Sequence, residues 1–226
     1  HEACRRMIVR RFLEWTQSAQ AGGRAEAASA LARAYLYSEL DIEQRSEAMA
    51  ALTILLDDSA PMVRRALAES LASAVEAPQH IVVALTMDQS DIAAIVLARS
   101  PVLRDSDLID AVAVGDEASH LAVACRAELS AGVCAALAEI AGPAALMALL
   151  RNRSAALPEF CYRRMIERHG EDAELRETML ARRDLPVGVR HMLVMAVSDA
   201  LANFVQGCSW LRPERGERVM AEAREA

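Results

Sequence analysis

The sequence contains no lysine: all 25 of its basic residues are Arg. Codon bias in a GC-rich genome accounts for that, and would also raise Ala, which fills 46 of the 226 positions. Ala is the strongest helix former and allows helices to approach closely. Aromatic residues are 4%, Gly and Pro number only 9 and 7, and runs of β-branched residues are few. Together these scarcities predict an all-α chain. The five Cys, at 4, 125, 134, 161 and 208, are odd in number and form no CxxC pair. That excludes a disulfide framework and points to a reducing compartment, with Cys125, Cys134 and Cys161 acting as small hydrophobes in apolar helical pattern.

No apolar run approaches the roughly 20 residues needed to span a bilayer. No signal-peptide pattern opens the chain, so a cytoplasmic protein is expected. The first residue is His, which reads as a trimmed N-terminus, and the last stretch carries no capping signal, as though the native chain continued. Catalytic motifs are equally scarce. There is no HExxH, no Gly-rich phosphate loop, no nucleophile elbow and no triad-like spacing. His80, His120, His169 and His191 are dispersed, and neither His120 with Cys125 nor Cys134, Cys161 and His169 has metal-site spacing. No cofactor, no metal and no enzyme activity are expected.

What charge there is lies unevenly. The formal net charge is −7, and all of it falls in residues 51–125, which hold Asp57, Asp58, Asp88, Asp91, Asp105, Asp107, Asp110, Asp116 and Glu117 among others. Most of these stand at expected helix starts, where carboxylates satisfy free amides and suit the helix dipole. Such a balance opposes a general affinity for phosphate backbones, which needs clustered positive charge.

The strongest positive signal is a pattern that returns every 26 to 30 residues. Short helices end near an Arg, and a brief break with a Leu follows: Arg99-Ser-Pro-Val-Leu103, Arg126-Ala-Glu-Leu129, Arg153-Ser-Ala-Ala-Leu157 and Arg182-Arg-Asp-Leu185. A fixed period of this size marks units too small to bury an apolar face alone, which stack on their neighbours. The periodicity predicts helices near 78–87, 90–99, 105–114, 117–127, 130–141, 143–151, 157–168, 171–182 and 186–206. The last should bury Val189, Met192, Leu193, Ala196, Val197, Leu201, Phe204 and Val205. Before them, Met7, Ile8, Phe12 and Leu13 form a first stripe ending in Trp15, and Gly22-Gly23 breaks the chain. A helix from about Arg24 to Tyr37 should then bury Ala27, Leu31, Ala34 and Tyr35. Asp41 and Gln44 form a capping box for a helix carrying Met49, Leu52 and Leu56. Pro61 opens another, with Val63, Leu67, Leu71 and Val75 on its core side. Trp210 reads as a lid on the end of the stack, or as an anchor for a partner.

The stretch Asp58-Ser-Ala-Pro61-Met-Val63-Arg64-Arg65-Ala-Leu67-Ala resembles the signature of HEAT repeats, in which Asp and Pro precede a helix opening with Val-Arg. With Arg24-Ala-Glu-Ala-Ala-Ser-Ala-Leu-Ala-Arg-Ala-Tyr-Leu-Tyr37, Ser100-Pro-Val-Leu103 and Arg183-Asp-Leu-Pro186, it is similar to an uncharacterised conserved bacterial family, common in alphaproteobacteria. The resemblance covers roughly residues 10–225. It implies an α-solenoid of HEAT-like helix-pair repeats, an alpha-alpha superhelix, and brings no catalytic residues with it. A single repeat domain over 1–226 is expected, with 1–57 as N-terminal capping helices and 207–226 as a C-terminal tail helix.

Arg99, Arg126, Arg153 and Arg182 occupy equivalent places in successive units. Stacking should align them as a row that grips carboxylates or phosphates through paired N–H donors. In the other reading, each caps the C-terminal carbonyls of its own helix. The expected function is a non-enzymatic interaction scaffold that binds a protein partner on the concave face, with self-association open. The alternative is a HEAT-like DNA repair glycosylase wrapping duplex DNA, which the acidity and the absence of Lys oppose.

Overall fold

A computed structural model describes residues 14–16, 18–207, 218 and 221. Among these residues all regular structure is helical, and no strand occurs. The chain divides into two compact units, His1–Arg126 and Ala127–Ala226.

The first unit holds α1 (Ala21–Tyr37), α2 (Ile42–Leu55), α3 (Pro61–Leu71), α4 (Gln79–Leu85), α5 (Ser90–Arg99), α6 (Asp105–Val114) and α7 (Glu117–Ala124). The helix starts follow local chemistry. Asp41 caps α2 by accepting from the Gln44 amide at 2.8 Å, while the Gln44 side chain accepts from the Asp41 amide at 3.2 Å. Pro61 opens α3, where its missing N–H costs nothing. Asp116 caps α7 through the Ser119 amide at 3.0 Å. Alternate helices pack against each other: α1 on α3, α3 on α5, and α5 on α7. Their contact faces form the core, with Ala28, Ala32, Val63, Leu67, Leu71, Ile92, Val96, Leu97 and Val123 all fully or almost fully buried. The intervening α2 and α4 lean on both of their chain neighbours, and α6 leans on α7.

The second unit holds α8 (Ala131–Ile140), α9 (Pro143–Arg151), α10 (Glu159–His169), α11 (Ala173–Leu180) and α12 (Val187–Gly207). The same alternation appears: α8 on α10, α10 on α12, and α9 on α11. Leu137, Leu146, Leu149, Tyr162, Met165, Leu175 and Val189 form its core with no exposed surface. The periodic leucines 103, 129, 157 and 185 each stand two residues before a helix (α6, α8, α10 and α12). Three of them, Leu103, Leu129 and Leu185, are buried.

Several expected details differ. Gly22 and Gly23 lie inside the first turn of α1 and do not break it; backbone amides there need no intrahelical partner, so Gly is tolerated. The buried face of α1 is Ala28, Ala32 and Tyr35, one position round from that expected. Val75 is 74% exposed because α3 stops at Leu71 and the chain turns, with the Ala74 amide donating to Leu71 O at 3.2 Å. Met49 and Leu56 are only half-buried, the α2 core being Ala48, Ala51, Leu52 and Leu55. On α12 the buried residues are Val189, Leu193 and Val205, whereas Val197, Leu201 and Phe204 are exposed. Cys125 is exposed at the end of α7, unlike buried Cys134 and Cys161. Trp15 is 40% exposed. Met7, Ile8, Phe12, Leu13 and Trp210 lie outside the described residues.

Candidate functional site

Two sets of Arg side chains fasten alternate helices. The first acts at helix starts in the first unit. Arg24, in the first turn of α1, donates to both carboxylate oxygens of Asp58 at 2.7 and 2.9 Å, and to Ala19 O at 2.7 Å. Arg64, in the first turn of α3, repeats this with Asp88 at 2.7 and 2.9 Å, and with Asp58 O at 2.6 Å. Each Asp also accepts from a local amide, Ala60 for Asp58 and Gln89 for Asp88. Each pair therefore links one helix start to the loop before the next helix but one. The Arg24 fork holds the Asp58 carboxyl below its ordinary value. Burial pushes Asp88 up, but the Arg64 fork and the Gln89 amide outweigh it and the net shift is downward.

The second set acts at helix ends. Arg126, just past α7, donates to Leu97 O at 2.5 Å and Ser100 O at 2.8 Å, both at the C-terminus of α5. Arg168, in the last turn of α10, donates to Ala138 O, Ala141 O and Ile140 O at 2.8, 3.1 and 3.0 Å, at the end of α8. Arg182, just past α11, donates to Leu150 O at 2.9 Å and Asn152 O at 3.0 Å, at the end of α9, and its other nitrogens pair with Asp184. Helix C-termini leave carbonyls without partners and carry partial negative charge. A guanidinium satisfies both needs, and here it does so for the helix two places back. Burial lowers the Arg126 pKa, opposed by Asp105. For Arg182, burial opposes the charge, but Asp184 and the neighbouring Tyr162 more than restore it.

The four arginines of the sequence period thus divide. Arg126 and Arg182 are engaged in the protein's own backbone, and Arg182 is buried. Arg99 and Arg153 are exposed, and neither makes an ion pair or side-chain hydrogen bond with the described residues. Arg24, Arg64 and Arg168 lie outside that period. For the first two, the signal in the sequence was an Asp 34 and 24 positions further on. Arg168 takes only backbone oxygens, which leave no mark in the sequence.

Arg153 and Arg182 both line an open cleft of about 710 Å³ between the C-terminal end of α9 and the length of α11. Its wall also carries Arg151, Arg183, Glu174 and Glu177. Arg151 and Glu174 form an ion pair at 3.2 Å with 63% and 64% of their side-chain surfaces exposed. A separate apolar groove of about 330 Å³ runs between α11 and α12, lined by Leu180, Val194, Val197 and Leu201. His120 donates from Nε2 to Val112 O at 2.9 Å inside the first unit. Among the described residues no three His, Cys, Asp or Glu side chains gather as a metal site, and no helix is long and apolar enough to cross a membrane.

Residues 92–226 match the model of a family described as an uncharacterised protein conserved in bacteria (DUF2336). The chain belongs to that family. The matched span runs from α5 onward and so contains all four periodic arginines and the cleft. No curated protein and no solved structure matches the chain.

Proposed function

We propose that this family member is a non-enzymatic, cytoplasmic protein-interaction scaffold, an α-solenoid of HEAT-like helix pairs that binds a protein partner on its concave face. The alternate-helix packing within each unit supports the repeat reading, because stacked helix pairs bring corresponding helices, two places apart, into contact. The arginine fasteners support a rigid array: each spends its donors on a helix end or an Asp from the neighbouring pair.

The observation that carries the binding role is the split of the arginine row. Arg126 and Arg182 hold helix ends, while Arg99 and Arg153 have the same sequence position but exposed heads. Exposed, uncommitted guanidiniums on a braced framework are suited to paired hydrogen bonding with partner carboxylates. A net charge of −7 favours a protein partner over a phosphate backbone. The test replaces Arg99 and Arg153 together by Glu and measures affinity for proteins cross-linked to the full chain. Loss of about tenfold or more in affinity is expected; unchanged affinity for every such partner would remove the row from the account.

A further inference from the structure

We propose that the cleft between the C-terminal end of α9 and α11 binds an acidic stretch of polypeptide, with Arg151, Arg153 and Arg183 as its carboxylate receptors. This rests on the scaffold reading above and names the chemistry of the partner at one site.

Helix C-terminal ends are poor places for anions, since their free carbonyls carry partial negative charge. Here Arg182 cancels that charge on α9 by donating to Leu150 O and Asn152 O. Its Nε and Nη2 also donate to Asp184, at 3.0 and 2.7 Å, so four of its five N–H groups are used within the protein. The other arginines on the wall are therefore surplus to the fold. Arg153 and Arg183 are exposed and make no side-chain hydrogen bond or ion pair with the described residues. Arg151 has only Glu174, and an ion pair so exposed contributes about 0–1 kcal/mol. An incoming carboxylate can take Arg151 while Glu174 turns to water at little cost.

Shape and charge select a peptide over a nucleic acid. The cleft volume of about 710 Å³ lies within the usual range of ligand pockets, roughly 300–1,000 Å³. Glu174, Glu177 and Asp184 share the wall with the four arginines, a mixed lining that opposes a continuous run of phosphates. A polypeptide that interleaves acidic with neutral residues avoids this. Exposed Ala181 offers apolar lining for a neutral side chain, and the Thr178 hydroxyl, which donates to Glu174 O at 2.8 Å, can still accept.

The experiment uses the full chain and a fluorescein-labelled peptide of alternating Glu and Leu, read by fluorescence anisotropy. Saturable binding that weakens with added salt is expected. Arg153→Glu with Arg183→Glu should weaken it by about tenfold or more. Arg33→Glu with Arg190→Glu makes the same charge change at exposed positions away from the cleft, and should leave most of the affinity intact. Glu174→Gln should tighten binding several-fold by releasing Arg151, whereas Glu26→Gln should not. All these side chains are exposed, so circular dichroism and melting should match the unaltered protein. No binding at about 1 mM protein, equal loss in the control pair, or tighter binding of a DNA duplex that the Arg153/Arg183 change abolishes would each overturn the proposal. A chain that ignores the probe yet keeps its cross-linked partners would lose this inference and retain the scaffold reading.

Discussion

Replacing Arg126 by Ala removes a fork that reaches from the end of α7 to two carbonyls at the end of α5. Hydrogen bonds to charged groups contribute about 1.5–3 kcal/mol, and leaving a buried acceptor without a partner costs about 1–3 kcal/mol. Desolvation of the guanidinium in the native protein, the same burial that lowers its pKa, offsets part of this. The expected loss is therefore about 2–4 kcal/mol, a large share of a typical domain stability of about 5–15 kcal/mol. Arg99 has the same place in the period and no such bonds, so Arg99→Ala should stay within about 0.5 kcal/mol of the unaltered protein. Arg126→Lys should recover only part of the loss, because a single ammonium cannot match the fork. Urea unfolding of the three variants, followed by circular dichroism, gives the comparison. Hydrogen exchange at the α5 amides should report the loss locally. Equal midpoints for Arg126→Ala and Arg99→Ala would refute the idea that these bonds hold alternate helices together.

Leu67 is wholly buried on α3, the helix that packs on both α1 and α5, and Leu67→Ala should cost about 2–5 kcal/mol by denaturant melt; a value near zero would refute Leu67 as a core residue. Thiol alkylation read peptide by peptide should label Cys125 quickly, while Cys134 and Cys161, with pKa values pushed up by burial to about 11 and about 12, should react only on unfolding. Asp58 and Asp88 have carboxyls held below their ordinary value in the folded chain, so their stabilisation is complete above the unfolded pKa of about 3.9 and lost as pH falls through and below it. Stability should hold from pH 7 to about 5 and then decline, and Asp58→Asn with Asp88→Asn should flatten that decline in melts run across the range.

Most of the secondary structure could be read from the sequence because its signals are local. The bounds of α5, α6 and α9 coincide with those expected, 90–99, 105–114 and 143–151, since Asp, Ser and Pro mark the starts and short breaks mark the ends. Where local signals are missing, the structure departs from the expectation. No Gly or Pro stands between Leu71 and Val75, so nothing in the sequence marked the turn that exposes Val75. The α12 pattern is apolar on more than one side, and periodicity alone could not separate the stripe packed in the core from Val194, Val197 and Leu201 on the open groove. At the site, the period placed Arg126 and Arg182 at helix ends, but not on the helix whose carbonyls they take. That choice depends on which helices are neighbours, a property of packing that no single window of sequence contains.

The same packing explains why guanidinium is needed, whatever genomic bias removed lysine from the chain. Arg24 and Arg64 each grip two carboxylate oxygens and, with a further nitrogen, a backbone carbonyl. Arg168 reaches three carbonyls from one planar group, and Arg182 reaches two carbonyls and a carboxylate. Lysine offers a single strongly hydrated charge, and could neutralise one helix end without fixing its angle to the next. A helix of eight to eleven residues, such as α7, α10 or α11, is too short to be stable by itself in water. Its orientation must come from its neighbours, and a rigid fork spanning two elements supplies orientation as well as charge. The acidic excess of residues 51–125 then has a structural use, since Asp58 and Asp88 each cap a local amide and receive an arginine from the preceding helix pair. Charge in this chain is spent first on joining helices, and the guanidiniums left over, Arg99, Arg153 and Arg183 among them, are where an outside partner can make bonds that the fold itself does not require.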